Sequence, residues 1–320
     1  MKRIGILTSG GDAPGMNACI RAVVRCGIYH GLEVFGIRRG YYGLVNDDMF
    51  QMDMRSVSGI VQRGGTMLYT ARCDEFREKS GLEKAANTIK KNKLDGLVVI
   101  GGDGSFRGAR ELADYCDIGS MCVPGTIDND LAYTDYTLGF DTAVNTVVSL
   151  VNNIRDTMTS HERVSIVEVM GRHCGDIALY SGMASGAEAI LIPEIKTGVQ
   201  EFVDRIRSSR DRGKMSNIVI VAEGVDDYKP YMDAVKEQLD LSIRQTIIGH
   251  IQRGGAPTMS DRVLASKFGN HAIQLLKKNV KNRVVGIVDN KIVDFDIIEA
   301  LNMKRTIDRE MFELAKIIAM

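Results

Sequence analysis

Two short stretches, Thr8-Ser9-Gly10-Gly11-Asp12 and Gly101-Gly102-Asp103-Gly104-Ser105, each put glycines and one carboxylate directly after an apolar run of strand length. Glycine bares the main chain, and N–H groups at a strand-to-helix turn form an anion site. A carboxylate among them suits Mg²⁺, which takes few protein ligands and completes its sphere with water and phosphate oxygens. A plain tight turn would also use glycine, but two such loops in one chain favour a nucleotide. Neither is a Walker A sequence, and the first lacks the spacing of a dinucleotide fingerprint. Farther along, Pro124-Gly125-Thr126-Ile127-Asp128-Asn129-Asp130 places two carboxylates two residues apart. On an extended backbone they point the same way and can divide labour, one taking a proton and the other holding metal. A solvated acidic turn is the bland alternative. A basic set completes the inventory: Arg163, Arg172, Arg244 and Arg253, with His250, at strand ends or in glycine-flanked loops. Arginine forks grip phosphate with two bonds, so several together point to a phosphorylated small substrate, although any one could be a surface ion-pair partner.

The elements that must position these residues follow from hydrophobic patterning. Strands are expected at residues 3–7, 33–37, 96–100, 120–123, 164–169, 189–192, 217–222 and 283–288. Ile20, Val23, Val24, Gly27 and Ile28 share one helix face over residues 16–30, and Gly31 is a fitting stop. Asp141 is expected to N-cap a second helix whose stripe is Val144, Val147, Val148, Val151 and Ile154. Strand alternating with helix implies an α/β fold with largely parallel sheets, where ligands sit beyond the carboxyl ends of the strands. Two echoes, SGGD at 9–12 against IGGD at 100–103 and QRGG at 62–65 against 252–255, have different offsets and read as local solutions, not a duplicated fold.

Composition narrows the class. The chain of 320 residues suits two domains or one large α/β unit, and its 44% apolar and 26% charged residues are those of a globular protein. Lys plus Arg equals Asp plus Glu at 41 each, which argues against a general nucleic-acid binder. The sequence holds no apolar stretch of membrane-spanning length, and no signal peptide is expected from its first residues. Six cysteines at 19, 26, 73, 116, 122 and 174 show no C-x-x-C spacing, so neither a zinc site nor a disulfide framework is expected, and a reducing cytoplasm fits. Cys174 beside His173 reads as a small hydrophobe before it reads as a reactive thiol.

GGDGS, GTIDND, MGR and HIQRGG, in this order over nearly the full length, resemble the bacterial ATP-dependent 6-phosphofructokinase family. GGDG followed by Ser or Thr also marks NAD kinases and diacylglycerol-type lipid kinases, which are not expected to carry GTIDND or HIQRGG. The resemblance implies two Rossmann-like α/β domains with the active site in the cleft between them: 1–138 plus 251–304 for ATP and 139–250 plus 305–320 for fructose 6-phosphate. It implies transfer of the γ-phosphoryl group of ATP to the 1-hydroxyl, with Mg²⁺. By the same resemblance Asp128 is the base, Asp103 a metal ligand assisted by Asp130, and Gly11, Arg72, Cys73, Gly102, Asp103, Gly104 and Ser105 contact ATP. Thr126, Arg172 and the Gly11 backbone would surround the phosphoryl group in flight. Thr126, Ile127, Asp128, Arg163, Met170, Gly171, Arg172, Glu223, Arg244, His250, Ile251, Gln252 and Arg253 would bind the sugar phosphate. The pyrophosphate-using branch carries Asp where this chain has Gly104 and Lys where it has Gly125, so the glycines imply ATP.

Arg21 and Arg25, i and i+4 on the face opposite the apolar stripe, form a mildly repulsive pair that is usually just solvated surface. The resemblance assigns an effector site to them, with Ala22, Val23, Val24, Arg55, Ser56, Val57, Ser58, Gly59, Ile60, Arg155, Gly186, Ala187, Glu188, Arg212, Lys214, Met215 and Ser216. It implies activation by ADP or GDP, inhibition by phosphoenolpyruvate, and a homotetramer in which Arg163 and Arg244 reach a neighbouring subunit's site. A catalytically silent nucleotide sensor is the reading from another class; Asp128 and Arg172, which such a protein would be expected to have lost, are both present. Segment 224–243 matches no usable pattern.

Overall fold

The computed structural model describes residues 1–161, 163–214 and 216–319. The Cα atoms group into two compact units, one of residues Met1–Ile127, Leu131–Thr142 and Arg253–Arg305, the other of Asp128–Asp130, Ala143–Gln252 and Thr306 onward.

The first unit carries a seven-stranded sheet among the described residues. Its strands are β1 (Arg3–Thr8), β2 (Glu33–Ile37), β3 (Met49–Met52), β4 (Gly96–Gly101) and β5 (Gly119–Pro124), with two later ones at Arg283–Val288 and Lys291–Asp296. The second unit's sheet comprises β6 (Val164–Val169), β7 (Ala189–Leu191), β8 (Asn217–Ala222) and β9 (Ile243–Ile247), which makes the later pair β10 and β11. The spatial orders are β11-β10-β5-β4-β1-β2-β3 and β7-β8-β6-β9. The second sheet is parallel throughout; the first is parallel except for its edges, where β3 runs antiparallel to β2 and β11 to β10. Strands β4, β5 and β8 are buried along their whole length, as runs such as Leu97-Val98-Val99-Ile100 require when helices cover both faces.

All eight expected strands form, three of them extended by a residue at one or both ends and the one at 189–192 ending a residue early at Leu191. Three strands have no counterpart in the expectations. β3 and β9 are short edge strands, and β9 (IRQTI) has a burial pattern without clean alternation. β11 returns from β10 through Asp289-Asn290, both with positive φ, a two-residue loop of the I′ kind. Helix α1 (Met16–Tyr29) stops at His30 and Gly31 as expected, with Ile20, Val23 and Val24 fully buried. Between the strands lie α2 (Tyr41–Val45), α3 (Lys79–Asn92), α4 (Asp103–Leu112), α5 (Phe140–His161), α6 (Asp176–Ser185), α7 (Val199–Asp211), α8 (Lys229–Leu239), α9 (Met259–Lys277), α10 (Ile297–Asn302) and α11 (Arg309–Ile318). No described helix is long and apolar enough to cross a membrane.

Asp141 is not an N-cap. It lies inside the first turn of α5, where its carboxylate accepts from the Thr258 hydroxyl at 2.5 Å. The start of α5 is held by Asp261, 1% exposed in the first turn of α9, which accepts from the Gly139 and Thr142 N–H groups at 2.8 and 2.9 Å and from the Thr142 hydroxyl at 2.5 Å. Burial outweighs those donors, and with Asp141 nearby it raises the Asp261 carboxyl to about 6.

Candidate active site

In the first unit β1 and β4 are parallel neighbours in register, Thr8 opposite Ile100, while β2 lies on the far side of β1. Chain order reverses at β1, so the crevice where α/β sheets bind ligands opens at the carboxyl ends of β1 and β4. Those are the two glycine loops. They touch: the Ser9 N–H donates to Ile100 O at 2.9 Å, and a Cβ built on Gly101 would stand 2.5 Å from Ser9 O and 2.6 Å from Ser105 Oγ. Gly10, at φ +86°, accepts from Thr70 Oγ1 at 2.6 Å.

Gly102 caps α4, with Asp103 and Gly104 in its first turn. Neither Gly102 nor Gly104 has positive φ, and a Cβ on either would meet no protein atom within 4 Å. Gly102, as the N-cap, sits where glycine is itself favoured over alanine; at Gly104, inside the first turn, backbone conformation and packing both permit alanine, which a helix prefers by about 0.5–1 kcal/mol. No contact within the protein calls for glycine at 104, which leaves its main chain open to the approach of a ligand. Gly125 differs: a Cβ would lie 2.8 Å from Ile100 Cγ2 and 3.1 Å from Met16 Cε, so protein packing already demands glycine there.

Buried Tyr41 braces this loop. Its hydroxyl donates to Ser105 O at 2.5 Å, and its ring stacks on Phe76 at 4.0 Å and 15°. Phe76 closes the turn that follows Arg72 and Cys73, its N–H donating to Cys73 O at 3.2 Å. Arg72 is exposed; Cys73 packs against the unit's hydrophobic core. Exposed Gly11 faces the Arg253 guanidinium, whose Nη1 would be 2.5 Å from a Gly11 Cβ and donates to Asp12 O at 3.3 Å. Thr126 follows β5 and accepts at its carbonyl from Thr137 Oγ1 at 2.6 Å, while Ile127 is fully buried.

Asp128 to Asp130 belong to the second unit. The backbone between the two carboxylates is not extended: Asn129 has φ +52°, so the alternation expected of the pair does not apply. Asn129 is fully buried, donates Nδ2 to Asp176 Oδ2 at 2.8 Å, and accepts at its carbonyl from Cys174 Sγ at 3.8 Å. Asp128 is half-buried and Asp130 exposed. Cys174 is thus a packed core group, 1% exposed.

At the carboxyl ends of β6 and β8 the structure gathers Met170, Gly171, Arg172 and Glu223. Gly171 at φ +125° lets its chain pass Cys174 O, 2.4 Å from where a Cβ would sit. Its carbonyl accepts from Gly224 N at 3.2 Å, and the Glu223 N–H donates to Val169 O at 2.8 Å. Arg172 is exposed there, beside an open cleft lined by His173, Glu194 and Asp226. Residues 249–253 form a 3₁₀ turn in which His250 and Ile251 are exposed. Gln252 is fully buried, its Oε1 accepting from Met170 N at 3.2 Å and its Nε2 donating to Gly249 O at 2.9 Å. Its amide therefore clips the turn to the end of β6 and is not presented to a ligand.

Arg163 and Arg244 do not join this group. Arg163 precedes β6, and Arg244 pairs with Ser165 near the start of that strand, about 17 Å of strand away from Met170.

The residues expected at an effector site fall in both units. In the first, Arg21 and Arg25 are half-buried, Arg55, Ser58 and Gly59 are exposed, and Ser56 donates Oγ to Asp53 at 2.9 Å. Val23, Val24 and Val57 have no exposed surface, and Ala22 (7%) and Ile60 (4%) little, so their side chains serve the core and not a ligand. In the second, Arg155 donates to Ser185 O at 2.6 Å and to Gly186 O at 3.2 Å. Glu188, 3% exposed, pairs with Lys214, with neighbouring Ala187 also buried. Arg212 donates to Ser208 Oγ at 2.7 Å, Ser216 lies 3.3 Å from Thr159 Oγ1, and Met215 lies outside the described residues.

Among the described residues no three His, Cys, Asp or Glu side chains form a metal cage. Mg²⁺ taken with nucleotide phosphates needs none; one carboxylate at a helix N-terminus between open glycines, as Asp103 is, matches its donor habits.

Tyr41, Thr70 and Asn17 escaped sequence reasoning. Asn17 stands in the first turn of α1, just after the first glycine loop, and only the fold shows that its amide holds residues 63 to 67.

Residues 3–276 match the family described as Phosphofructokinase. A protein of Caldanaerobacter subterraneus subsp. tengcongensis named ATP-dependent 6-phosphofructokinase is 56% identical over 320 residues, covering 100% of both chains. One of the same name from Clostridioides difficile is 54% identical over 319 residues, again covering 100% of both. Among solved structures, phosphofructokinase from Saccharomyces cerevisiae superposes with a TM-score of 0.88 at 36% identity over 99% of this chain and 47% of the yeast chain, which is thus about twice as long. The fold, the glycine loops and full-length likeness agree, and the chain belongs to the phosphofructokinase family.

Proposed function

We propose that this chain is an ATP-dependent 6-phosphofructokinase, converting fructose 6-phosphate to fructose 1,6-bisphosphate in glycolysis. The observation that carries the reading is Gly104, bare without a backbone or packing reason in the first turn of α4. Main-chain N–H groups there would hold the nucleotide phosphates, with Asp103 on the accompanying Mg²⁺ and Asp130 assisting. When bound, that ion neutralises charge on the phosphates. The bond from the γ-phosphorus to its bridging oxygen breaks as a bond to sugar O1 forms, ADP leaves, and the O1 proton passes to the Asp128 carboxylate. Phosphoryl transfer needs alignment and charge neutralisation more than covalent help, which suits Arg172, Thr126 and the Gly11 main chain. Met170, Gly171, Glu223, His250 and Arg253 would seat the sugar phosphate.

The separation of Arg163 and Arg244 from Arg172 along β6 supports a homotetramer in which those two serve a neighbouring copy. Arg21, Arg25 and Arg55 in one unit and Arg155, Arg212 and Lys214 in the other supply cations for ADP, GDP or phosphoenolpyruvate as effectors.

The test is ATP-dependent formation of fructose 1,6-bisphosphate by the purified chain and by Asp128→Asn. Loss of a general base typically costs about 10²–10⁴-fold in kcat. An inactive wild type, or an unimpaired variant, would sink the reading.

A further inference from the structure

The two Gln-Arg-Gly-Gly stretches, 190 residues apart in sequence, meet in the first unit through their glycines. A Cβ on Gly64 would stand 2.2 Å from Gly255 O, 3.1 Å from Gly255 C and 3.3 Å from Gly255 N. All three are main-chain atoms, with no flexible side chain to yield. Gly64 does not have positive φ, so its conformation does not demand glycine; the approach of Gly255 does.

Both stretches also grip the chain that runs from the loop after β1 into the first turn of α1. Asn17, 3% exposed, donates Nδ2 to Arg63 O at 3.2 Å and Gly64 O at 3.1 Å, and accepts at Oδ1 from Met67 N at 2.7 Å. From the other stretch, Arg253 donates to Asp12 O and lies against Gly11. The segment from Gly11 to Asn17, the first stretch and the second therefore form a closed circuit of contacts, with the Arg253 guanidinium at the point where it returns to that segment.

We infer that the Gln62–Gly65 turn is a positioning element for Arg253: bare Gly64 seats the Gly255 main chain and thereby sets the guanidinium against Gly11. This rests on the proposed role of Arg253 with the sugar phosphate. Gly64 touches no reactant; its methyl counterpart would displace Gly255 by an ångström or more, and misplacement of about 1 Å can cost on the order of 10²-fold.

The experiment is a double-variant cycle on the full chain, read as kcat/KM for fructose 6-phosphate at saturating ATP. Arg253→Ala and Gly64→Ala are each expected to lower it, Gly64→Ala by roughly 10–100-fold. The double variant is expected to be no worse than Arg253→Ala alone, because a guanidinium that is gone cannot be misplaced. If the two losses multiply, or Gly64→Ala leaves kcat/KM unaltered, the inference is wrong while the role of Arg253 stands. If Arg253→Ala is silent, that role fails and takes the inference with it. Should Gly64→Ala not fold, Asn17→Ala loosens the same turn without adding an atom, and the same comparison with Arg253→Ala decides.

Discussion

Replacing Gly104 by alanine should push stability and catalysis in opposite directions. The residue is exposed in the first turn of α4, its φ is not positive, and a Cβ would find nothing within 4 Å. For the folded chain the change is a glycine-to-alanine exchange in a helix, a gain of about 0.5–1 kcal/mol at most, or roughly 1–4 °C in thermal midpoint. For the nucleotide it places a methyl group where a phosphate would lie against bare main chain. Displacing the phosphates by about 1 Å would lower kcat/KM for ATP by roughly 10–100-fold. Gly108→Ala, four residues on in the same helix, is the control: its Cβ would stand 3.0 Å from Phe76 Cε1 and 3.2 Å from Tyr41 Cε2, so it should destabilise. Differential scanning fluorimetry of both variants, with initial rates against ATP at saturating fructose 6-phosphate, separates the two effects. A Gly104→Ala enzyme that melts earlier than wild type, or keeps its ATP dependence, would refute the reasoning.

Tyr41→Phe keeps the stack on Phe76 and removes the hydroxyl from Ser105 O, so it should cost about 0.5–1.5 kcal/mol and raise KM for ATP while leaving KM for fructose 6-phosphate near wild type. Titrations against each substrate show the split. Asp261 gives a pH signature. Its carboxyl, raised by burial to about 6 from 3.8, binds a proton more tightly folded than unfolded, so this residue makes stability fall as pH climbs from about 4 to 6, by on the order of 2–3 kcal/mol. Urea unfolding across that range should show the fall flattened in Asp261→Asn.

How much of this was legible in the sequence depended on whether the cause was local. Apolar runs closing on glycine announced the parallel strands, because a strand buried on both faces is a short apolar run bounded by turn residues. The edge strands β3 and β9 carry no such pattern, since an edge is defined by the neighbour it lacks. β11 had a usable signal in Asp289-Asn290 between apolar runs. The extended backbone expected between Asp128 and Asp130 failed at left-handed Asn129, whose side chain is held by Asp176, 47 residues away in sequence. The partnership of Gly64 with Gly255 was visible only as an unexplained echo. Spacing along a chain does not reveal which two main chains touch.

The placement of β10 between β5 and β11 has a consequence for biosynthesis. β5 ends at Pro124, and the strand that covers its free side begins only at Arg283. At about 5–20 residues per second a ribosome needs roughly 8–30 s to make the intervening chain. Throughout that interval Gly119–Pro124, wholly buried in the finished protein, offers an open row of amides and carbonyls to any passing strand. Nascent chains stalled between these two points should therefore be the ones that most need a chaperone.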